Sequence, residues 1–330
     1  MILAGDVGGT KCNLALFEKR GGHFQVRYQR RYASREYASM EEILAEFLRG
    51  AGETLAASPA GRILGAGFGA AGPVVGGRVR LTNLAWGLDA ASLARQIGIQ
   101  DVGLLNDIEA TGYSLPWLGS GHMHTLNLGT PRPQAAQALI AAGTGLGEAI
   151  LHWSGDRYIV APGEGGHCDF APRTDQEIEL LRYMKKPGGP VSFEMVLSGR
   201  GFLTLHQFLD ARVRHPVFDS AETDPAPEIT RRALDGSCPV CLQALDLWVS
   251  LYGAEAGNLA LKALSLGGLF VAGGIAPKIL PKMADGTFLR AFCAKSKFRD
   301  LLSQVPVHLV LSEEAPLLGA AAEAARVLGI

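Results

Sequence analysis

The sequence predicts an α/β protein of two related domains whose glycine-rich turns face one cleft. Three observations predict it. The chain opens with a short apolar run, a glycine-rich turn and a second apolar run (MILAG, GDVGGTK, CNLALF), which reads as a strand, turn and strand. The same arrangement recurs roughly 137 residues later in ALIAAGTGLGEAILHW. The first elements then follow a β-β-β-α-β-α order, not the steady strand and helix alternation of a dinucleotide fold.

Residues 2–5 form the first strand, 12–17 the second, and FQVRYQRRY from Phe24 the third. Ser39 opens a helix, SMEEILAEFLRGAGETL, because Ser39 and Glu42 make a capping box ahead of apolar residues at helical spacing. RILGAGFGAAGPVV returns to strand, and Gly76-Gly77 turn the chain into RVRL. A helix over Ala90 to Ile97 and the strand VGLLN lead to a helix from about Asp107. After the second hairpin, RYIVAPGE is a third strand. TDQEIELLRYMKK and SFEMVLSGRGFLTLHQFLDARV are helices, as is the long stretch from about Cys241 to Leu266. GLFVAGGIAP is a strand ending in Gly273-Gly274, PVHLVLS another, and APLLGAAAEAARVLG the closing helix. HPVFDSAETDPAPE, proline-rich and acidic, is an exposed connection.

A chain of 330 residues accommodates two domains, and 48% hydrophobic with 19% charged residues describes a folded protein. A net charge of -1 supplies no basic field for nucleic acid, which favours a small-molecule partner. MILAG is too short for a leader, and no apolar run approaches the roughly 20 residues of a membrane span, so a cytoplasmic protein is expected. The five cysteines, at 12, 168, 238, 241 and 293, form no secreted disulfide framework and read as reduced thiols. Cys238 and Cys241 make a lone CPVC with no second Cys/His pair at zinc spacing; it reads as a helix start with Pro239 in the first turn. His122 and His124 read as part of a solvated loop.

GDVGGTK matches neither a P-loop nor Gly-x-Gly-x-x-Gly. With AAGTGLG and VAGGIAP it makes three glycine-rich strand ends, and such turns offer backbone N–H groups to phosphate oxygens. Asp6 would repel phosphates unless a cation such as Mg²⁺ lay between; alternatively it caps its own turn. Asn106 and Asp107 stand where a strand hands over to a helix, the place where α/β folds bind ligands; Asp107 is there either a proton acceptor or a helix N-cap. PGEGGHCDFAP places Glu164, His167 and Asp169 on a Gly/Pro-rich loop, where Glu164 and His167 can accept from and donate to neighbouring sugar hydroxyls. Glu194 in isolation reads as a helix-surface carboxylate.

GDVGGTK, TNLAW, LLNDIEA, AAGTGLG, PGEGGHCDFAP, FEMVLSGRG and VAGGIAP together resemble, over nearly the whole chain, the bacterial glucokinase family of the actin/hexokinase-like ATPase superfamily. PGEGGHxDFAP and LNDxxA are specific to it; GDxGGT is shared by many sugar kinases. The resemblance implies a two-domain, ribonuclease H-like fold with an active-site cleft between a small α/β domain, 1–110 plus 312–330, and a larger α+β domain, 111–311. It implies phosphorylation of glucose by ATP with Mg²⁺, with Asp107 as base for the 6-hydroxyl and Asn106, Glu164, His167 and Glu194 on the other hydroxyls. Gly5, Asp6, Val7, Gly8, Gly9 and Thr10, with Gly143, Thr144 and Gly145, would flank the phosphates. Asp6 would lie near Mg²⁺ through water, and Gly273 and Gly274 by the adenosine. A homodimer is implied as well. Lys11, where enterobacterial-type members carry Asn, and Arg200, where a neutral residue is common, depart from the pattern. The related repressor/kinase family carries closely spaced zinc-binding cysteines after its Glu-x-x-His; here Cys168 stands alone, so no structural zinc is expected.

Three other readings of the same residues differ in what they require. An actin-like ATPase would have no need of hydroxyl-binding groups at Asn106, Asp107, Glu164 and His167. A sugar-sensing repressor would carry a DNA-binding helix-turn-helix ahead of GDxGGT, where only four residues precede Gly5. A kinase of another hexose, such as fructose or an amino sugar, is the reading that the pattern disfavours without contradicting it.

Overall fold

The computed structural model describes residues 1–81, 84–185, 189–219 and 224–330. Thr82 and Asn83 of TNLAW, the end of the helix expected through Lys186, and 220–223 of the acidic connection therefore lie outside the described residues. The chain divides into two compact units, Met1–Gly121 with Ser312–Ile330, and His122–Leu311.

The first unit holds β1 (Ile2–Val7), β2 (Lys11–Arg20), β3 (His23–Ala33), β4 (Gly65–Ala70), a small antiparallel sheet of β5 (Val74–Val75), β6 (Arg78–Arg80) and β7 (Gly87–Asp89), and β8 (Val102–Asn106). Its main sheet runs β3-β2-β1-β4-β8, with β1, β4 and β8 parallel and the two hairpin pairs antiparallel. Side chains on β1 and β2 alternate between two cores. Leu3, Val7, Leu14 and Leu16 join Met40, Ile43, Leu44 and Phe47 of the helix Met40–Gly50. Ile2, Ala4, Ala15 and Phe17 join Leu317, Ala320, Ala321 and Ala324 of the closing helix Ala315–Val327. Ser39 caps the helix Met40–Gly50 by accepting the Glu42 N–H, while the Glu42 carboxylate accepts the N–H of Ala38 at 2.9 Å.

Missing side chains let the closing helix sit against its neighbours at backbone distance. A Cβ on Gly67 of β4 would lie 2.4 Å from the Ala320 carbonyl oxygen, and one on Gly319 only 1.7 Å from that of Ala110. The helix Asp107–Ser114, which contains Ala110, is thus seated whole in the first unit, and the unit runs on to Gly121 rather than stopping at 110.

The second unit holds β9 (Met123–Asn127), β10 (Gln137–Ala142), β11 (Leu146–Trp153), β12 (Tyr158–Gly163), β13 (Gly268–Ala272) and β14 (Val307–Val310), in the order β12-β11-β10-β13-β14-β9. Its first five strands repeat the pairing of the first unit, with two antiparallel partners followed by two parallel ones. The sixth, β9, adds antiparallel to β14. The two histidines of HMH therefore flank the start of an edge strand and are not in a free loop, because His124 pairs with Leu309. Behind the sheet, the helix Pro239–Ala263 buries residues around its whole circumference, and it ends where Leu264 adopts a left-handed φ of 46°. The helix expected over SFEMVLSGRGFLTLHQFLDARV is broken into Phe193–Val196 and Gly199–Asp210. The break has a cause: the Gly199 N–H donates to the Gly143 carbonyl at 3.0 Å, which pulls the chain towards the glycine turn. No helix among the described residues is long and apolar enough to cross a membrane.

Gly319→Ala should lower the urea midpoint, with a loss on the order of 1–3 kcal/mol for overpacking against an unyielding backbone. Gly52→Ala, in open helical surface, should leave it unchanged or raise it slightly. Equal midpoints for the two variants would refute the tight helix contact.

Candidate active site

Each unit carries its hairpin turn at the same place, after the first strand of the repeated sheet. In the first turn the Gly8 N–H donates to the Lys11 carbonyl at 2.9 Å, while Ser34 bonds the Gly8 carbonyl through its hydroxyl and the Thr10 carbonyl through its N–H. The N–H groups of Gly9 and Thr10 have no protein acceptor among the described residues. In the second turn the Gly143 N–H donates to the Gly145 carbonyl at 2.8 Å, and the N–H groups of Thr144 and Gly145 are likewise without a protein acceptor among the described residues. Adjacent free amides of this kind suit an anion. Gly5 and Val7 are different, since both are buried inside β1. A Cβ on Gly5 would meet the Phe68 ring at 2.3 Å, so this glycine serves the packing beneath the turn.

β13 runs parallel to β10, so Gly273 and Gly274 leave the sheet beside the second turn. Gly273 has φ +87° and a Cβ position 2.3 Å from the Ala142 carbonyl oxygen, a combination open to glycine alone. Gly274 is exposed with free space around it.

Asp6 sits on β1 opposite Gly69 of β4, and the Cβ position of Gly69 lies 4.0 Å from the Asp107 Cα. Burial, and next the facing Asp107 carboxylate, push the Asp6 carboxyl up to about 6, against the opposing pull of Lys11 and Arg31. Asp107 is exposed at the first position of its helix and accepts the Ile108 N–H at 2.8 Å. The cap belongs to its neighbour. The Asn106 Oδ1 accepts the Ile108 N–H at 3.0 Å, its Nδ2 donates to the Gly72 carbonyl at 3.1 Å, and the Glu109 carboxylate accepts the Asn106 N–H. The sequence left Asp107 as either cap or proton acceptor. Asn106 holds the helix end, while the exposed Asp107 carboxylate shares the Ile108 N–H with it.

In the second unit, Glu164 and His167 are exposed on the loop after β12, with the His167 Nε2 3.9 Å from a Glu164 oxygen and 3.9 Å from a Glu194 oxygen. Glu194 is not the surface carboxylate its sequence context suggested. It is half-buried, and its Oε2 accepts the Leu146 N–H at 3.0 Å, next to the second glycine turn. The loop is braced by bonds from Phe193 to Cys168 and from Phe170 to Val191, and by a bridge between Asp169 and Ser192.

Glu148, which the sequence reading passed over, lies directly under this loop. It is buried in β11, and a Cβ on Gly165 would lie 2.0 Å from its Oε2. Burial first, then the buried Glu255 carboxylate, push its carboxyl up to about 7, with Lys262 opposing. Its only sequence signal is one acid in an otherwise apolar strand, LGEAILHW.

The comparisons with known proteins agree with this architecture. The family model described as Glucokinase matches residues 3–327. The glucokinase of a Nostoc species is 40% identical over 348 residues, covering 99% of both chains. The crystal structure of glucokinase from an Antarctic psychrotroph superposes with a TM-score of 0.85 at 30% identity, covering 98% of each chain. The ROK family glucokinase from Streptomyces griseus, solved in complex with glucose and AMPPNP, shares the fold at a TM-score of 0.67 and 20% identity, covering 98% of this chain and 99% of that one. These findings place the protein among the hexose phosphotransferases. The chain belongs to the glucokinase family.

Folding raises the Glu148 carboxyl above its ordinary value of 4.5. The folded state therefore holds a proton that the unfolded chain releases between that value and about 7, and stability falls as pH rises through this window. In metal-free buffer Glu148→Gln should flatten this part of the thermal stability profile, the difference from wild type reaching up to about 3 kcal/mol at pH 8 and vanishing near pH 4. Parallel profiles would show that Glu148 titrates normally.

Proposed function

We propose that the protein transfers the γ-phosphoryl group of ATP to the 6-hydroxyl of D-glucose, giving ADP and glucose 6-phosphate. The observation that carries this reading is the family match over residues 3–327, which takes in both glycine turns, the Asp107 helix start and the Glu164 to His167 loop. Phosphoryl transfer needs a positioned nucleophile, donors for the phosphate oxygens and relief of their charge. The free amides of Gly9, Thr10, Thr144 and Gly145 bind phosphate oxygens, and Gly273 and Gly274 leave room for the adenosine. Asp107 accepts the proton of the 6-hydroxyl as its oxygen attacks the γ-phosphorus and the bond to ADP breaks. Glu164, His167, Glu194 and the side-chain amide of Asn106 hold the remaining hydroxyls.

The donor set also fits Mg²⁺. Asp6 offers hard carboxylate oxygens whose negative charge is disfavoured by burial and by Asp107, so a nearby cation is welcome. Held by Asp6 through water, Mg²⁺ would neutralise charge on the triphosphate. The same resemblance supports a cytoplasmic homodimer.

ADP formation should require glucose and stop when Mg²⁺ is chelated; turnover indifferent to chelator would remove Asp6 from the proposal. Among hexoses, glucose should give the highest kcat/KM, and a better alternative hexose would reassign the substrate.

Asp107→Asn preserves shape, and Asn106 retains the cap, so glucose affinity by calorimetry and the unfolding midpoint should hold while kcat drops about 10²- to 10⁴-fold. Near-native kcat would leave the reaction without this base. Glu164→Ala and His167→Ala should each raise KM for glucose well beyond any change for ATP, since a desolvated hydroxyl loses its partner; equal changes for both substrates would mark the loop as structural.

A further inference from the structure

We propose that His206, His215, Cys238 and Cys241 form a closed four-ligand site for a structural zinc ion. One ligand atom from each of these four buried residues lies within 4.8 Å of every other. The Cys241 Sγ is 3.4 Å from the His215 Nε2, close to the separation of sulfur and nitrogen about a tetrahedral zinc, roughly 3.5 Å from Zn–S and Zn–N distances of about 2.3 and 2.0 Å.

A second observation points to a missing ligand. His206 is fully buried, yet both its ring nitrogens lack a hydrogen-bond partner among the described residues, a costly condition for an imidazole in an apolar core. A metal bond satisfies one of them.

The two sulfurs come together at the start of one helix. Cys238 is the N-cap of the helix Pro239–Ala263 and its sulfur accepts the Cys241 N–H at 3.4 Å, so both sulfurs sit at the positive end of a long helix. Phe218 packs edge-on to both imidazoles, with ring centroids 4.9 and 5.1 Å away, and shields them from water.

The donor chemistry selects the metal. Two thiolates and two imidazoles in a tetrahedral set favour zinc over the hard cation proposed at Asp6, and four protein ligands leave no open position for catalysis. The site is therefore a staple. It fastens the helix Gly199–Asp210 and the chain at His215 to the start of the long helix, distinct from the glycine turns.

The expectation of no structural zinc rested on Cys168 standing alone after Glu164 and His167, and CPVC itself was read as a helix start for want of a second Cys/His pair at zinc spacing. His206 and His215 lie upstream on separate elements, nine positions apart, where the usual fingers have three to five residues between their histidines.

The test is metal content and metal spectroscopy on the full-length protein, purified reduced and without a histidine tag. About one zinc per chain is expected, released by a thiol-modifying reagent, and about a tenth or less in a Cys238→Ser/Cys241→Ser double variant. Should that variant fail to fold, wild-type protein stripped of metal and titrated with Co²⁺ supplies the answer alone. Thiolate-to-cobalt charge-transfer absorption saturating at one equivalent, and displaced by Zn²⁺ with a rise in Tm, supports the site. Reduced wild-type protein that neither contains zinc nor develops this absorption overturns it, as does zinc retained by a folded double variant.

Discussion

Backbone contact without intervening side chains is the constraint on which the rest of this structure depends. Gly5 accepts the Phe68 ring, Gly67 accepts the Ala320 carbonyl, and Gly319 accepts that of Ala110. These approaches bring the Asp107 helix down onto the closing helix and lay β4 between Asp6 and Asp107. In the second unit Gly165 and Gly166 do the same above Glu148 and Leu146, and Gly273 above Ala142. A methyl group at any of them would move a candidate site residue before it disturbed the bulk of the core.

Close approach has an electrostatic consequence. Carboxylates drawn into such packing lose water, and Asp6 and Glu148 both resist ionisation as a result. The two differ in what relieves them. Asp6 is placed where a cation and phosphates are proposed to come and go, whereas Glu148 lies beneath a glycine loop beside a second buried acid. One is charge held ready for a ligand; the other is a standing cost beneath the loop it supports.

Much of this was legible in the sequence because it rests on local signals. Alternating apolar residues around a glycine turn marked both hairpins, and the capping chemistry of Ser39 and Glu42 marked the first long helix. Asn106 was the harder case. Asn and Asp are equally good caps, so adjacent Asn106 and Asp107 could not be told apart until the bonds to Ile108 and Gly72 assigned the cap. The split at Leu197 and Ser198 depends on a carbonyl far away in sequence, and the pairing of CPVC with two histidines depends on three separate elements meeting. Neither leaves a periodic trace.

The two-part first unit also dictates the order in which the chain can finish folding. Its β1–β2 hairpin precedes its packing partner by most of the chain, since Ile2, Ala4, Ala15 and Phe17 find their apolar partners on a helix that begins at Ala315. The intervening unit, complete in its own sheet once β14 is synthesised, has all its strands before that helix exists. The hairpin is thus made well before the helix it packs against, and one apolar face of its sheet stays unpartnered during synthesis until Ala315–Val327 has emerged.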